Sequence, residues 1–303
     1  MHSWIRHTLV LTAALVPMTG EAHSAVAQNT PADRQVVLVT GSTDGLGREV
    51  ARSMADAGAH IIVHGRNRER GEALVAEIAS EGRGSAAFYA ADFAHLAQVR
   101  QLANAILRDY QRIDVLVNNA GIWLSRDDDR RLSADGHELQ FAVNYLAGFL
   151  LTHMLLPLLE QSPAARIVNV SSAAQTPIDF ADVMLESNYT GSRGYAQSKL
   201  AQVLFTFDLA AELDASDIIV TALHPATLMN TTMVEAAGVT PRSSVEDGLR
   251  AVLQLVRDDG IESGSYYNGM RPARAHEQAY DEQARERLRL LSRELTGLPS
   301  SSR

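Results

Sequence analysis

From Gln35 onward, short runs of aliphatic and β-branched residues alternate with longer stretches whose apolar positions recur every three or four residues. A strand covered on both faces reads as a continuous apolar run, whereas a helix packed on a sheet shows one apolar stripe. The alternation therefore predicts successive βαβ units around a parallel sheet. The strand candidates are Val36 to Val39, His60 to Val63, Ala86 to Ala90, Ile113 to Val117, Arg166 to Val170, Ile218 to Leu223 and Ser265 to Tyr267. Leu46, Val50 and Met54 form the stripe of a first helix that Gly58 is placed to end, and Asn67 is placed to cap the next. Segments 98–110, 138–160, 195–213, 245–256 and 274–295 also read as helices. The expected fold class is α/β, a doubly wound parallel sheet of about seven strands flanked by helices. One domain should span residues 31–303, since neither an internal repeat nor a low-complexity linker marks a second.

Two stretches lack any period. The patch from Arg126 to Arg131 holds three consecutive aspartates and reads as a solvated loop, and the polar stretch from Gln175 to Arg193, broken by Pro177 and Gly191, reads as a long loop of the kind that carries function. Residues 1–30 are set apart. Arg6 precedes a largely apolar run from Thr8 to Met18, and Ala25-Val26-Ala27 before Gln28 has the small-x-small form of a signal-peptidase site. Export competes here with a start codon at Met18 and with a disordered tail. The apolar run, interrupted by Pro17, is too short for a membrane span.

Composition narrows the chemistry. With 27 basic against 36 acidic residues the formal charge is -9, which argues against nucleic acid and anionic membrane surfaces as partners. The absence of cysteine removes disulfides, thiolate metal sites and cysteine nucleophiles, and no metal site is expected.

Between the first strand and first helix, VLVTGSTDGLGREVA sets Gly41, Gly45 and Gly47 in a turn where backbone can approach a pyrophosphate at a helix N-terminus. That arrangement belongs to a dinucleotide-binding, Rossmann type of fold. After the second strand, where such folds present an acidic group to the adenosine ribose, this chain has Arg66. A guanidinium there suits a 2'-phosphate, so NADP(H) is preferred with NAD(H) as the alternative; a merely solvated arginine is the competing reading. Arg48 could add charge near the phosphate, or could simply be an exposed helix residue. Tyr195 and Lys199, four apart in GYAQSKLAQVLF, share one helix face, where an ammonium favours the phenolate and brings a phenol toward proton exchange near neutral pH.

In order along the chain stand TGSTDGLG, Asp92, the NNAG of Asn118 to Gly121, Asn144, NVSS ending at Ser172, and Tyr195 with Lys199. Together these resemble the short-chain dehydrogenase/reductase family over about residues 35–270, and RIVNVSS, YAQSKLAQVLF and LHPA resemble its retinol-dehydrogenase-like branch. The resemblance implies an enzyme interconverting an alcohol and its carbonyl compound with NAD(P). Tyr195 would be the general acid/base, Ser172 would bind the substrate oxygen, Lys199 would contact the nicotinamide ribose and tune Tyr195, and Asn144 would hold a relay water. It further implies cofactor contacts at Gly41, Ser42, Thr43, Gly45, Leu46, Gly47, Arg66, Asp92, Phe93, Asn119, Ala120, Gly121, Tyr195, Lys199 and Pro225, and a homodimer or homotetramer. For Asn118 and Asn119 a purely structural role stands beside direct contact, and Ser171 is the neighbour turned to the opposite face.

The pattern is not complete. Pro225 is followed by Ala226 where the family has Pro-Gly, and the threonine expected soon after is displaced to Thr231 or Thr232. Asp179, Tyr189 and His224 are candidates for shaping a substrate pocket, and Trp123, Met229 and Met233 either wall it or belong to the core. If they line the cleft, the substrate is a hydrophobic alcohol, aldehyde or ketone. A non-catalytic NADP-binding sensor or scaffold on the same fold is the alternative function. Because NADPH is a cytoplasmic cofactor, the expected location is cytoplasmic, with the leader leaving export open.

Overall fold

Seven parallel strands form the centre of the molecule in a computed structural model that describes residues 34–125 and 129–299. They are β1 (Val36–Val39), β2 (His60–Gly65), β3 (Ser85–Ala90), β4 (Val115–Asn118), β5 (Arg166–Val170), β6 (Ile219–His224) and β7 (Ser265–Asn268). A two-residue strand that the sequence pattern did not predict, β8 (Arg271–Pro272), pairs antiparallel with β7 at the edge. The order across the sheet is β3-β2-β1-β4-β5-β6-β7-β8. The leader candidate at residues 1–30 and the stretch 126–128 of the charged patch lie outside the described residues.

The connecting helices are α1 (Gly45–Asp56), α2 (Arg68–Glu81), α3 (Leu96–Asp109), α4 (Leu139–Phe141), α5 (Ala147–Leu159), α6 (Gly191–Glu212), α7 (Thr232–Ala236), α8 (Val245–Arg257) and α9 (Glu282–Thr296). Strand alternation splits the core into two layers. Val36 and Leu38 pack with Leu102, Ile106, Leu150 and Leu204 of α3, α5 and α6. Val37 and Val39 pack on the other face with Val50, Met54, Val252 and Leu255 of α1 and α8. These side chains are buried on both sides of the sheet, so a truncation such as Leu38→Ala would cost about 2–5 kcal/mol. On the first face, α9 lies over α6, tied to it by an ion pair of Arg289 with Asp208 at 2.6 Å, and is joined at Ser292 by Tyr145, which precedes α5, at 2.7 Å.

Two helices depart from the periodic pattern. The single helix expected over 138–160 is interrupted by a π-turn at Ala142–Leu146, which inserts a residue and re-aims Asn144. The whole stretch Leu139–Leu159 is long and apolar enough to cross a membrane, with mean hydropathy 1.6, but it is mostly buried within the fold. The helix expected over 274–295 is instead a 3-10 turn at Glu277–Tyr280 followed by α9, which Asp281 caps.

Strand order reverses at β1: the chain moves one way to β2 and β3, while β4 lies on the other side. Crossovers then diverge at the carboxyl ends of β1 and β4 and leave a crevice there.

Candidate active site

The β1–α1 turn lies at that crevice. Thr40 accepts through its hydroxyl from the Asn119 and Ala120 N–H groups, each at 3.0 Å, which locks the turn to the segment after β4. A Cβ on Gly41 would lie 2.9 Å from the Ala120 Cα, and one on Gly47 would collide with the Gly41 carbonyl and the Asn119 amide. Only glycines let the two backbones approach this closely. Asp44 caps α1, and the first turn leaves the N–H groups of Leu46 and Gly47 without helical partners at the positive end of the macrodipole. Ser42 exchanges hydrogen bonds with the His64 backbone, and Thr43 packs on Gly65. Thr231, one of the two displaced threonine candidates, reaches the turn: its Cγ2 is 3.3 Å from where a Cβ on Gly45 would sit.

Beyond β2 and β3 a cleft of about 350 Å³ is lined by Arg66, Asp92, His95, Ile122, Arg131 and Val143, among others. Among the described residues Arg66 has no ion pair, in contrast to its neighbours. Arg48 is paired with Glu49 and Glu77, and Arg70 with Asp44 at 3.0 Å, so of these three arginines Arg66 is the unpaired one; Arg131, which also lines the cleft, has no ion pair among the described residues either. Asp92 steers the loop by accepting from the Ala94 N–H at 3.0 Å. Phe93 turns inward and stacks on His64 with ring centroids 4.4 Å apart, so its ring faces protein. Asn119 likewise spends its side-chain amide on the Thr40 and Gly41 carbonyls, bracing the turn.

The acid/base candidates converge at the ends of β4 and β5 and on α6. Tyr195 is half-buried with its phenol turned toward the Ser172 hydroxyl; burial raises the phenol above its ordinary value and the interaction with Ser172 pulls it back. Lys199 is buried, with its Nζ 5.6 Å from the Tyr195 ring centroid. It donates to the Val170 carbonyl at 2.9 Å and to the Gln202 Oε1 at 3.0 Å, and burial lowers it to about 7. On protein groups alone, then, burial outweighs the Ser172 contact and leaves the phenol raised, rather than lowered by the lysine as the sequence suggests. Asn144 accepts from the Ile122 N–H at 2.7 Å and donates to the Ile122 carbonyl and the Ser198 hydroxyl. A Cβ on Gly121 would be 3.3 Å from the Asn144 Oδ1 and 3.6 Å from the Lys199 Nζ, which places both beside the NNAG turn and hence beside the glycine turn. Trp123 faces Tyr195 with ring centroids 6.0 Å apart.

Several supports escaped the sequence reading. The Ser172 carbonyl accepts from the Tyr266 hydroxyl at 3.0 Å and from Gln175 at 2.9 Å. Ser171 donates to the Lys199 carbonyl at 2.7 Å. Asn118 donates to Asn169 and Thr152, each at 2.9 Å, and Asn169 to Thr206, a buried polar chain across β4, β5 and α6. The loop candidates take other roles: Asp179 pairs with Arg193 at 3.1 Å, and Tyr189 meets Glu138 and Gln140. His224, followed by the buried Pro225, bonds Thr227 at 3.0 Å; burial, and then the Lys199 charge, lower it. Met229 is partly buried and packs beside Leu46 and Gly248 against the core, whereas Met233 is exposed.

Comparison with known proteins bears on the family and the fold. The family model described as short chain dehydrogenase matches residues 35–241. Retinol dehydrogenase 11 of Homo sapiens is 32% identical over 282 residues, covering 88% of this chain and 86% of that protein. Retinol dehydrogenase 13 of Homo sapiens is 33% identical over 288 residues, covering 88% and 86%. Among solved structures, an uncharacterised protein from Mycobacterium paratuberculosis superimposes with a TM-score of 0.73 at 31% identity, covering 90% of this chain and 98% of that one. A short chain dehydrogenase from Shigella flexneri, solved in complex with NADP, gives a TM-score of 0.65 at 27% identity over 78% and 97%.

Proposed function

The chain belongs to the short-chain dehydrogenase family, and from that premise we propose that it is an NADP(H)-dependent oxidoreductase that interconverts a hydrophobic alcohol and its aldehyde or ketone. The observation that carries the reading is the convergence of the Tyr195 phenol, the Ser172 hydroxyl and the Lys199 ammonium beside the NNAG turn.

The protein fits the cofactor. The glycine cradle and the N–H groups opening α1 suit a pyrophosphate, the unpaired Arg66 suits a 2'-phosphate, and Asp92 borders the cleft that would take the adenine. When bound, NADP(H) supplies or accepts the hydride at its nicotinamide. Ser172 then hydrogen-bonds the substrate oxygen, and Tyr195 gives that oxygen its proton in reduction and takes it back in oxidation. Lys199 would contact the nicotinamide ribose and offset negative charge on the phenolate, while the π-turn holds Asn144 where it could anchor a relay water. Trp123 gives the crevice an apolar wall, in keeping with the retinol dehydrogenases among the relatives.

Self-association into a dimer or tetramer, and operation in the cytoplasm where NADPH is supplied, complete the proposal. Light scattering and the mature N-terminus from fractionated cells test these two parts. The activity itself is tested by following NADPH absorbance with a panel of apolar aldehydes and ketones. Turnover with at least one apolar carbonyl is expected. NADPH binding without turnover across the panel would favour the sensor alternative.

A further inference from the structure

We propose that His64 is a positioning residue that sets the affinity of the glycine-rich turn for the dinucleotide, by tying the Gly41 backbone to the end of β3. The proposal rests on the dinucleotide reading of that turn. The Nδ1 of His64 accepts from the Gly41 N–H at 3.2 Å. Its Nε2 lies 3.2 Å from the Ala91 carbonyl, and a carbonyl only accepts, so Nε2 carries the proton and the ring is the neutral tautomer. Phe93 stacks on the imidazole at 4.4 Å, and His64 is 2% exposed. One ring therefore joins the turn that would take the pyrophosphate to the residue preceding Asp92, which borders the adenosine cleft.

An apolar residue would fill this site without bridging it. Gly41 has φ of 63°, a conformation that glycine visits as one of many, so the turn is held in it by its contacts. The imidazole supplies an acceptor for the Gly41 N–H inside the protein, and releasing it would let the turn sample conformations in which the N–H groups opening α1 no longer converge. The expected consequence is weaker cofactor binding with unchanged chemistry at Tyr195.

His64→Phe keeps the ring and removes both hydrogen bonds, while His64→Gln keeps an acceptor and a donor. NADPH affinity is measured by fluorescence titration, kcat at saturating NADPH, and amide hydrogen exchange of the peptide containing Gly41 in protein without added nucleotide. His64→Phe should weaken NADPH about tenfold, the scale of one lost buried hydrogen bond. It should hold kcat within about twofold and speed exchange at Gly41, and His64→Gln should recover most of the affinity. Unchanged affinity or unchanged exchange in His64→Phe overturns the proposal. If that variant fails to fold, His64→Gln decides: near wild-type affinity and exchange support the brace, and a tenfold affinity loss with wild-type exchange overturns it. Exchange reads the turn alone, so a wild-type protein that binds no NADPH would defeat the cofactor reading while leaving the brace to be judged separately.

Discussion

The Lys199 Nζ donates at 2.9 Å to the carbonyl of Val170, so the strand that ends two residues before Ser172 also holds the lysine. Two elements of the proposed chemistry are thus set by one rigid strand. The arrangement carries a stability penalty, because the buried ammonium has only carbonyl acceptors and its value falls to about 7 from an ordinary 10.5.

The sign of that penalty gives the first prediction. Between about pH 7 and 10.5 the unfolded chain keeps a proton that the folded one has released, so this group adds stability as pH rises through that window and none below it. Lys199→Met removes the buried charge. It should raise the melting temperature by a few degrees at pH 6.5 and flatten the rise above pH 7, while abolishing carbonyl reduction. Differential scanning calorimetry of both proteins checks this, and a lower melting temperature for the variant at pH 6.5 would refute it.

Acid should act in the opposite part of the scale. His60 and His64 are both lowered to about 4 by burial, His60 held between Ser85 at 2.8 Å and Tyr110 at 2.9 Å. As pH falls from about 6.5 toward 4, the unfolded histidines take up protons that the folded ones refuse, so stability is lost across that window. Each contributes up to roughly 3 kcal/mol. Urea denaturation between pH 7 and 4.5 should show the decline, and His60→Asn should reduce its slope. An equal slope in the variant would remove His60 from the account.

Much of this was legible from the chain. β1 and α1 could be read because their apolar positions follow the two periods that separate a strand from a helix, and the positions of Ser172, Tyr195 and Lys199 followed from motifs in a fixed order. What stayed hidden depends on contacts between distant residues. The imidazole of His64 meets partners 23 and 27 positions away, which no local pattern announces. The π-turn around Asn144 leaves the apolar periodicity of its helix almost intact. The sequence pattern starts α6 at Tyr195 and reads Gly191 as a break in the loop before it, whereas the helix begins at Gly191. Thr190 caps the helix there, and Gly191 is needed because a side chain would strike the Ser125 backbone. Thr190 as an N-cap was the available signal.

Cofactor preference turns on Arg66, which among the described residues is unpaired where Arg48 and Arg70 are neutralised. Arg66→Ala should weaken NADPH binding about 10- to 100-fold, the range for one or two charge-assisted hydrogen bonds, and leave NADH affinity within about threefold. Titration calorimetry with both nucleotides measures the ratio. Equal losses for NADPH and NADH would mean that Arg66 does not read the 2'-phosphate.

The central claim is that Tyr195 moves the proton on the substrate oxygen. Its most direct test pairs NADPH titration with steady-state carbonyl reduction for Tyr195→Phe, using any substrate found active with the wild type. The prediction is an unchanged NADPH dissociation constant with kcat reduced by about 100- to 10,000-fold, the range for a lost general acid. Turnover near the wild-type rate in that variant would contradict it.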